Sequence, residues 1–227
     1  MDLWGQALWD YHQGNRQHPL ILETSYGVPE EVPLEEFYRH ELTFNKLELY
    51  ALELCQGTVL DIGAGAGAHS LALQRLGIST TALESSMGAC KVMRARGVKQ
   101  VVEADFWHFD APQYHTLLLL MNGAGIGGNF QRLTEFLELL ISWLKPEGQI
   151  LLDSCDVRYL FDGMEEAHPD YYGNLTYCYQ YRQQKGTPFP WLFVDYKSLK
   201  KVAQHCGLYT QMLYQNGEHY LAKLSRI

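Results

Sequence analysis

The sequence predicts an α/β protein built on a doubly wound, mostly parallel sheet. Three observations carry that expectation. Short apolar runs alternate with segments of helical spacing from Thr58 to Asp153. The first run ends in a glycine-rich turn, Asp61-Ile62-Gly63-Ala64-Gly65-Ala66-Gly67. The later runs end on acidic residues, Glu84, Asp105 and Asp153, at the strand C-termini where open α/β sheets bind ligands.

The elements follow in order. Trp4, Leu8 and Trp9 are spaced as an amphipathic helix that ends near Gly14. Pro19, Gly27, Pro29 and Pro33 then break the chain too often for regular structure. A second helix is expected from Pro33, a favoured first-turn residue, through Leu47, Tyr50, Ala51 and Leu54 to the stop at Gly57. Residues 1–57 thus read as a helical cap ahead of a main domain, 58–227.

That domain begins with a strand at Thr58–Ile62 and a helix at His69–Leu76. Next come a strand from Ile78 to Leu83 that ends at Glu84, a helix from Ser86 to Arg96 closed by Gly97, and a strand from Gln100 to Ala104 that ends at Asp105. Leu117–Met121 is an uninterrupted apolar run, as a strand covered on both faces requires. Leu133, Phe136, Leu137, Leu140 and Leu144 form a helical stripe. Lys145-Pro146-Glu147-Gly148 reads as a turn, and Gln149–Leu152 as a strand ending at Asp153. Strands joined through helices imply right-handed crossovers.

The tail departs from this alternation. Leu175, Tyr177, Tyr179 and Tyr181 alternate with polar or small residues, and Phe189–Val194 follows the turn Lys185-Gly186-Thr187-Pro188. A β-hairpin inserted at about 157–195 is expected. Leu199, Val202, Ala203 and Cys206 mark a helix that Gly207 stops, and Leu208–Tyr214 and His219–Leu224 pair through Asn216-Gly217.

Composition narrows the function. The net charge of −8 argues against nucleic acid as a partner, since phosphate neutralisation needs clustered Lys and Arg. Lys91, Arg94, Arg96 and Lys99 read as a solvated helix face. No apolar run is long enough to span a membrane, and Met1-Asp2-Leu3-Trp4 does not begin a signal peptide. Five scattered cysteines without a C-x-x-C pair suit the cytoplasm, and nine histidines without ligand spacing predict no metal site.

The glycine turn carries the chemistry. Positive φ brings the backbone close to a ligand, and free amides at the helix start face it. Gly63, Gly65 and Ala68, with Glu84 further on, satisfy the G-x-G-x-x-G/A pattern of a dinucleotide site, so an NAD(P)-dependent oxidoreductase is one expectation. Asp61, Gly63, Gly65 and Gly67 also make D-x-G-x-G-x-G. This resembles the first motif of class I S-adenosylmethionine-dependent methyltransferases. The resemblance covers Thr58–Asp153 by motif and the tail by topology. It implies a seven-stranded sheet with an antiparallel last strand, a cap over the site as in bacterial small-molecule members, and S-adenosylmethionine as cofactor.

It also implies roles, position by position. Asp61, Gly63, Ala64, Gly65 and Gly67 would form the donor turn, with Asp61 facing the donor's ammonium. Glu84 would take both ribose hydroxyls and Ser85 would share its rim. Asp105 would meet the adenine amino group and Phe106 would stack on the ring. Asn122 and Gly123 lie where the donor's methionine part and the acceptor would meet. The fourth motif departs from the family pattern: Tyr114-His115 stands where an aromatic residue and an Asp often do. The tetrapeptide of exocyclic base-nitrogen methylation is absent there, which agrees with a small-molecule acceptor. Tyr26, Phe37, Tyr38 and Arg39 from the cap, with Asp153, Tyr171, Tyr172 and Trp191, are the expected acceptor-pocket residues. The aromatic run that includes Tyr177, Tyr179 and Phe193 would wall the same pocket. Asp153, Asp156, Tyr171, Tyr172, His69 and His108 are candidate bases, and none stands out. A binding protein that keeps the donor site without turnover is the remaining alternative.

Overall fold

A computed structural model of the chain describes residues 1–161 and 170–227. Residues 162–169, part of the expected insertion, lie outside the described residues. In chain order the first elements are α1 (Leu3–His12), β1 (Ile21–Thr24), β2 (Glu30–Glu31), a 3-10 turn at Leu34–Tyr38, and α2 (Lys46–Leu54). The helix expected from Pro33 to Gly57 is therefore two pieces. Asn45 and Glu48 explain the break: each side chain accepts the other's backbone N–H, a reciprocal cap that starts a new helix.

The alternating region gives β3 (Val59–Ile62), α3 (Ala68–Arg75), β4 (Thr80–Glu84), α4 (Met87–Arg96), β5 (Val101–Glu103), β6 (Tyr114–Leu119), α5 (Leu133–Ser142) and β7 (Leu144–Cys155). The tail adds β8 (Asn174–Tyr181), β9 (Gln184–Lys185), β10 (Phe189–Leu192), α6 (Tyr196–His205), β11 (Leu208–Asn216) and β12 (His219–Arg226). Seven strands form the main sheet in the order β11-β12-β7-β6-β3-β4-β5. Strands β3 to β7 are parallel, and β12 enters antiparallel to β7. Strand order reverses beside β3, which pairs with both β4 and β6. The crevice at that switch point is the place for a ligand.

Two-residue periodicity divides the core between the sheet faces. Leu60, Leu117, Leu119 and Ile150 pack with Phe136 and Leu140 of α5 and Leu199 of α6. Val59, Leu118, Leu120 and Leu151 pack with Leu47 and Ala51 of α2 and Ala72 and Leu73 of α3. Lys145–Gly148 does not interrupt β7: Tyr114 pairs with Leu144 and Thr116 with Gln149, so the expected turn is a bulge within one strand.

A second sheet lies apart from the first, in the order β10-β8-β1-β2, with β9 also on β8. The insertion thus contributes β8 and β10, and the proline-rich stretch read as irregular contributes β1 and β2. Leu22 pairs with Tyr179 and Ile21 with Glu31. Helix α1 docks on α4 through two glycines: a Cβ on Gly88 would lie 2.4 Å from the Gly5 carbonyl carbon. Asp2 fastens this contact, accepting Gly5 N–H at 2.8 Å, Gly88 N–H at 2.9 Å and Ser86 Oγ–H at 2.9 Å. No helix among the described residues is long and apolar enough to cross a membrane.

Candidate active site

Strand β3 runs into a turn whose three glycines, Gly63, Gly65 and Gly67, take φ of 72°, 55° and 80°. Side chains rarely adopt these values. Space is short as well: a Cβ on Gly63 would meet Ile126 Cδ1 at 2.7 Å, and one on Gly67 would meet Val98 Cγ2 at 2.8 Å. Gly67 is also the N-cap of α3. From the end of β4, Glu84 reaches back to the turn. One carboxylate oxygen accepts Gly65 N–H at 2.9 Å, and the other accepts Ser86 N–H at 2.9 Å and Ser85 Oγ–H at 3.4 Å. Burial pushes the Glu84 carboxyl upward and these backbone donors oppose it. A carboxylate has about four acceptor positions, so capacity remains for a ligand hydroxyl.

Above the turn lies a cavity of about 640 Å³. Gly63, Gly65, Glu84 and Ser85 line its floor, with Phe106, Asn122 and Ile126 at one side. Its opposite wall is aromatic. Tyr177 and Tyr179 of β8, Phe189 and Trp191 of β10, and Phe193 just beyond β10 come from the second sheet, and Trp4 and Phe37 from the cap. Trp191 seats against the 3-10 turn at Gly123–Gly127, where a Cβ on Gly125 would overlap the indole at 2.1 Å. The charged side chains in the lining are Asp2 and Glu84; no Lys, Arg or His side chain lines it among the described residues. A pyrophosphate would meet the Glu84 carboxylate here, whereas a sulfonium meets an acidic and aromatic surround.

Several solved structures share this fold. A SAM-dependent methyltransferase from Bacteroides fragilis, in complex with S-adenosyl-L-homocysteine, matches at a TM-score of 0.92 and 35% identity, over 99% of this chain and 94% of its own. The chain belongs to the S-adenosylmethionine-dependent methyltransferase family. DesVI from Streptomyces venezuelae matches at TM-score 0.57 and 14% identity, over 87% of this chain and 100% of its own. The sugar N-methyltransferase KedS8 from Streptoalloteichus sp. ATCC 53650 matches at 0.58 and 12%, over 88% and 95%. At these identities the last two share the fold. No protein-family model and no curated protein sequence matches the chain.

Within this methyltransferase the expected site residues divide. Gly63, Gly65, Glu84, Ser85, Phe106, Asn122 and Trp191 line the cavity, as do Phe37, Tyr177, Tyr179 and Phe193. Ala64 and Gly67 shape the turn without lining it. Asp61 is buried, and its carboxylate accepts Ser70 Oγ–H at 2.5 Å instead of opening to the cavity. Asp105 points away too, capping the 3-10 turn Phe106–His108 by accepting Trp107 N–H at 2.9 Å and pairing with His108 Nδ1.

Gly123 and Asp153 act together behind the cavity. Gly123 N–H donates to Asp153 Oδ1 at 3.0 Å, and burial pushes the Asp153 carboxyl up to about 6. This bond holds the backbone at Met121 and Asn122, which take φ of 62° and 59° without being glycine. The Asn122 side chain completes the anchor: Nδ2 donates to Leu192 O at 3.1 Å and Oδ1 accepts Ser154 Oγ–H at 2.8 Å.

The other expected acceptor residues are engaged by neighbouring groups of the chain. Tyr38 Oη donates to Leu8 O at 2.7 Å. Arg39 forms a fork on buried Glu48 at 2.8 and 2.9 Å, and His69 Nε2 meets the same carboxylate at 2.8 Å. Tyr171 and Tyr172 donate to Asp195 at 2.7 and 3.1 Å, and Tyr172 also to Asp156 at 2.8 Å. Tyr26 packs in the same apolar cluster as Tyr177. His108 is exposed. None of these lines the cavity. Sequence reasoning missed Asp2, Trp4, Ser86, Ile126 and Phe189, which do. Asp2 carried one signal, an Asp directly before an apolar helical pattern.

Proposed function

We propose that this methyltransferase binds S-adenosylmethionine across the Gly63–Gly67 turn and methylates a small molecule held against the aromatic wall. The observation that carries the reading is the Glu84 carboxylate, fixed by Gly65 and Ser86 amides on the floor of a cavity without cationic side chains among its described lining. The donor supplies an already activated methyl group on a sulfonium. Glu84 offers its remaining acceptor positions to the ribose hydroxyls, with Ser85 beside it. Phe106 and Ile126 bound the space for the purine. Asn122, held by Leu192 and Ser154, and Gly123, held by Asp153, set the edge nearest the acceptor. The aromatic wall excludes water and orients the acceptor, so alignment supplies most of the rate enhancement.

Asp61 and Asp105 act on the scaffold here, the first by fixing α3 through Ser70 and the second by capping the Phe106 turn. Residues 1–57, together with β8 and β10, act as the cap over the domain 58–227. The acidic composition favours a small molecule over nucleic acid and the scattered cysteines a cytoplasmic setting. Calorimetric titration of S-adenosylhomocysteine, NAD and NADP into the purified protein tests the reading. Binding of the thioether alone is expected; nicotinamide binding, or no binding by any of the three, overturns it.

A further inference from the structure

Two features of the cavity bear on what it methylates. The first is its wall. Tyr177 and Tyr179 share one face of β8, and Phe189, Trp191 and Phe193 alternate along the adjacent strand, so period two presents all five rings to one side. The rings form a connected surface. Trp4 and Tyr179 stack at 5.7 Å, Tyr179 and Phe189 approach at 5.5 Å, and Tyr177 and Trp191 stack at 5.8 Å. Ring faces attract cations and offer nothing to a carboxylate or phosphate. Glu84 on the floor reinforces that sign.

The second feature is where the titratable groups stand. Asp153 is committed to Gly123, His69 to Glu48, and His108 to Asp105 at the surface. None of the three reaches the described cavity lining. Tyr179 Oη has no hydrogen-bond partner among the described residues.

Resting on the methyl-transfer reading of this cavity, we propose that the acceptor is an amine on an apolar, aromatic-sized body, methylated at nitrogen. Such an acceptor leaves its proton in solvent on entering the desolvating wall and attacks as the free base. The nitrogen lone pair forms the N–C bond, the C–S bond breaks, and its electron pair stays on sulfur. One positive charge moves from sulfur to nitrogen; the product ammonium releases a proton to water after leaving. The site therefore holds one cation before and after transfer, which a single anionic, aromatic surround stabilises throughout. A phenol or thiol would instead have to react as its anion, which this anionic, aromatic surround disfavours. Tyr179 Oη is a polar point on the wall that can accept the amine N–H and aim its lone pair.

The test uses phenethyltrimethylammonium and 3-phenylpropionate as matched probes, titrated in the presence of saturating S-adenosylhomocysteine. The ammonium probe should bind at least about tenfold more tightly than the carboxylate, and Trp191→Leu should remove that preference. Tyr179→Phe keeps the ring, so it should leave the ammonium probe bound but raise KM for phenethylamine in a methyl-transfer assay read by mass spectrometry. Unchanged S-adenosylhomocysteine affinity shows that each variant is folded; if Trp191→Leu fails that check, Tyr179→Phe carries the test. Equal or tighter binding of the carboxylate, binding of neither probe, or methylation of 4-ethylphenol in preference to phenethylamine overturns the amine assignment. Failure of the wild type to bind S-adenosylhomocysteine is a separate result, which removes the methyltransferase reading and this assignment with it.

Discussion

Replacing Glu84 with glutamine probes how the donor turn is held. The glutamate accepts Gly65 N–H through one oxygen and Ser86 N–H through the other, each at 2.9 Å. Glutamine offers one oxygen and places an NH₂ group at the second position. One of the two N–H groups then faces another donor, and Gly65 and Ser86 are both buried. Stranding a buried donor costs about 1–3 kcal/mol. At about 2–4 °C per kcal/mol for a chain of this size, the melting temperature should fall by roughly 2–12 °C. Donor binding should suffer separately. Loss of a charged acceptor for the ribose is worth about 1.5–3 kcal/mol, or roughly 10- to 150-fold in affinity for S-adenosylhomocysteine. Scanning calorimetry and isothermal titration at pH about 8, well above ordinary carboxyl titration, read the two effects independently. The contrast should shrink as pH falls, because burial raises the Glu84 carboxyl and protonation makes the wild type resemble the variant. A variant that melts within about a degree of wild type and binds within about twofold would refute the reasoning.

Three further predictions concern the scaffold. Gly88→Ala places a Cβ 2.4 Å from the Gly5 carbonyl carbon, where backbone cannot yield, so α1 must lift from α4. A cost of about 1–3 kcal/mol is expected in thermal melts, with faster proteolysis near the N-terminus. Arg39→Leu strips the fork from buried Glu48, which keeps His69 and the Asn45 N–H. Urea unfolding should show a loss of about 3 kcal/mol with donor affinity unchanged, and a stable variant with altered acceptor KM would return Arg39 to the acceptor pocket. Asp153→Asn should flatten the pH profile of stability. The folded state holds the Asp153 carboxyl at about 6 against an ordinary 3.8, so it binds the proton more tightly between those limits. The stability from this group is present below that window and is lost as pH rises through about 6, up to about 3 kcal/mol. Asp61 and Glu84 are raised in the same sense and Glu48 and Asp195 are lowered. The wild-type minus variant difference therefore isolates Asp153, and identical profiles would contradict its raised carboxyl.

Legibility of the fold followed the range of the interactions that form it. Alternating strands and helices were readable because Leu117–Leu120 and Ile150–Leu152 must satisfy both sheet faces within one short run. The Asn45–Glu48 cap was also local and readable, but the apolar spacing that continued across it masked the break. Strands β1 and β2 were different. Ile21–Thr24 has no strand pattern between its prolines, and it is extended because the edge of β8, some 150 residues away in the chain, supplies its hydrogen-bond partners. The bulge at Lys145–Gly148 had the same origin: Pro146 and Gly148 spell a turn, while pairing to Tyr114 and Thr116 on either side keeps the strand continuous.

The site shows where residue type stops determining direction. Gly63, Gly65 and Gly67 were legible as a tight turn because positive φ demands glycine there, and Glu84 was legible as a strand-end carboxylate that faces the cavity. Asp61 satisfies the same motif, yet strand parity sends it elsewhere. Leu60 and Ile62 face the α5 side, so Asp61 must face the side of α2 and α3, where Ser70 waits. The adjacent cluster of Glu48, His69 and Arg39 makes that side a buried polar layer rather than a ligand surface. Asp61 ties the first turn of α3 to β3 through Ser70. A motif read as a list of contacts assigns Asp61 to the donor. Read as a strand with two faces, the same residues set Gly63, Gly65 and Glu84 on the cavity lining and turn Asp61 toward Ser70 on the other side of the sheet.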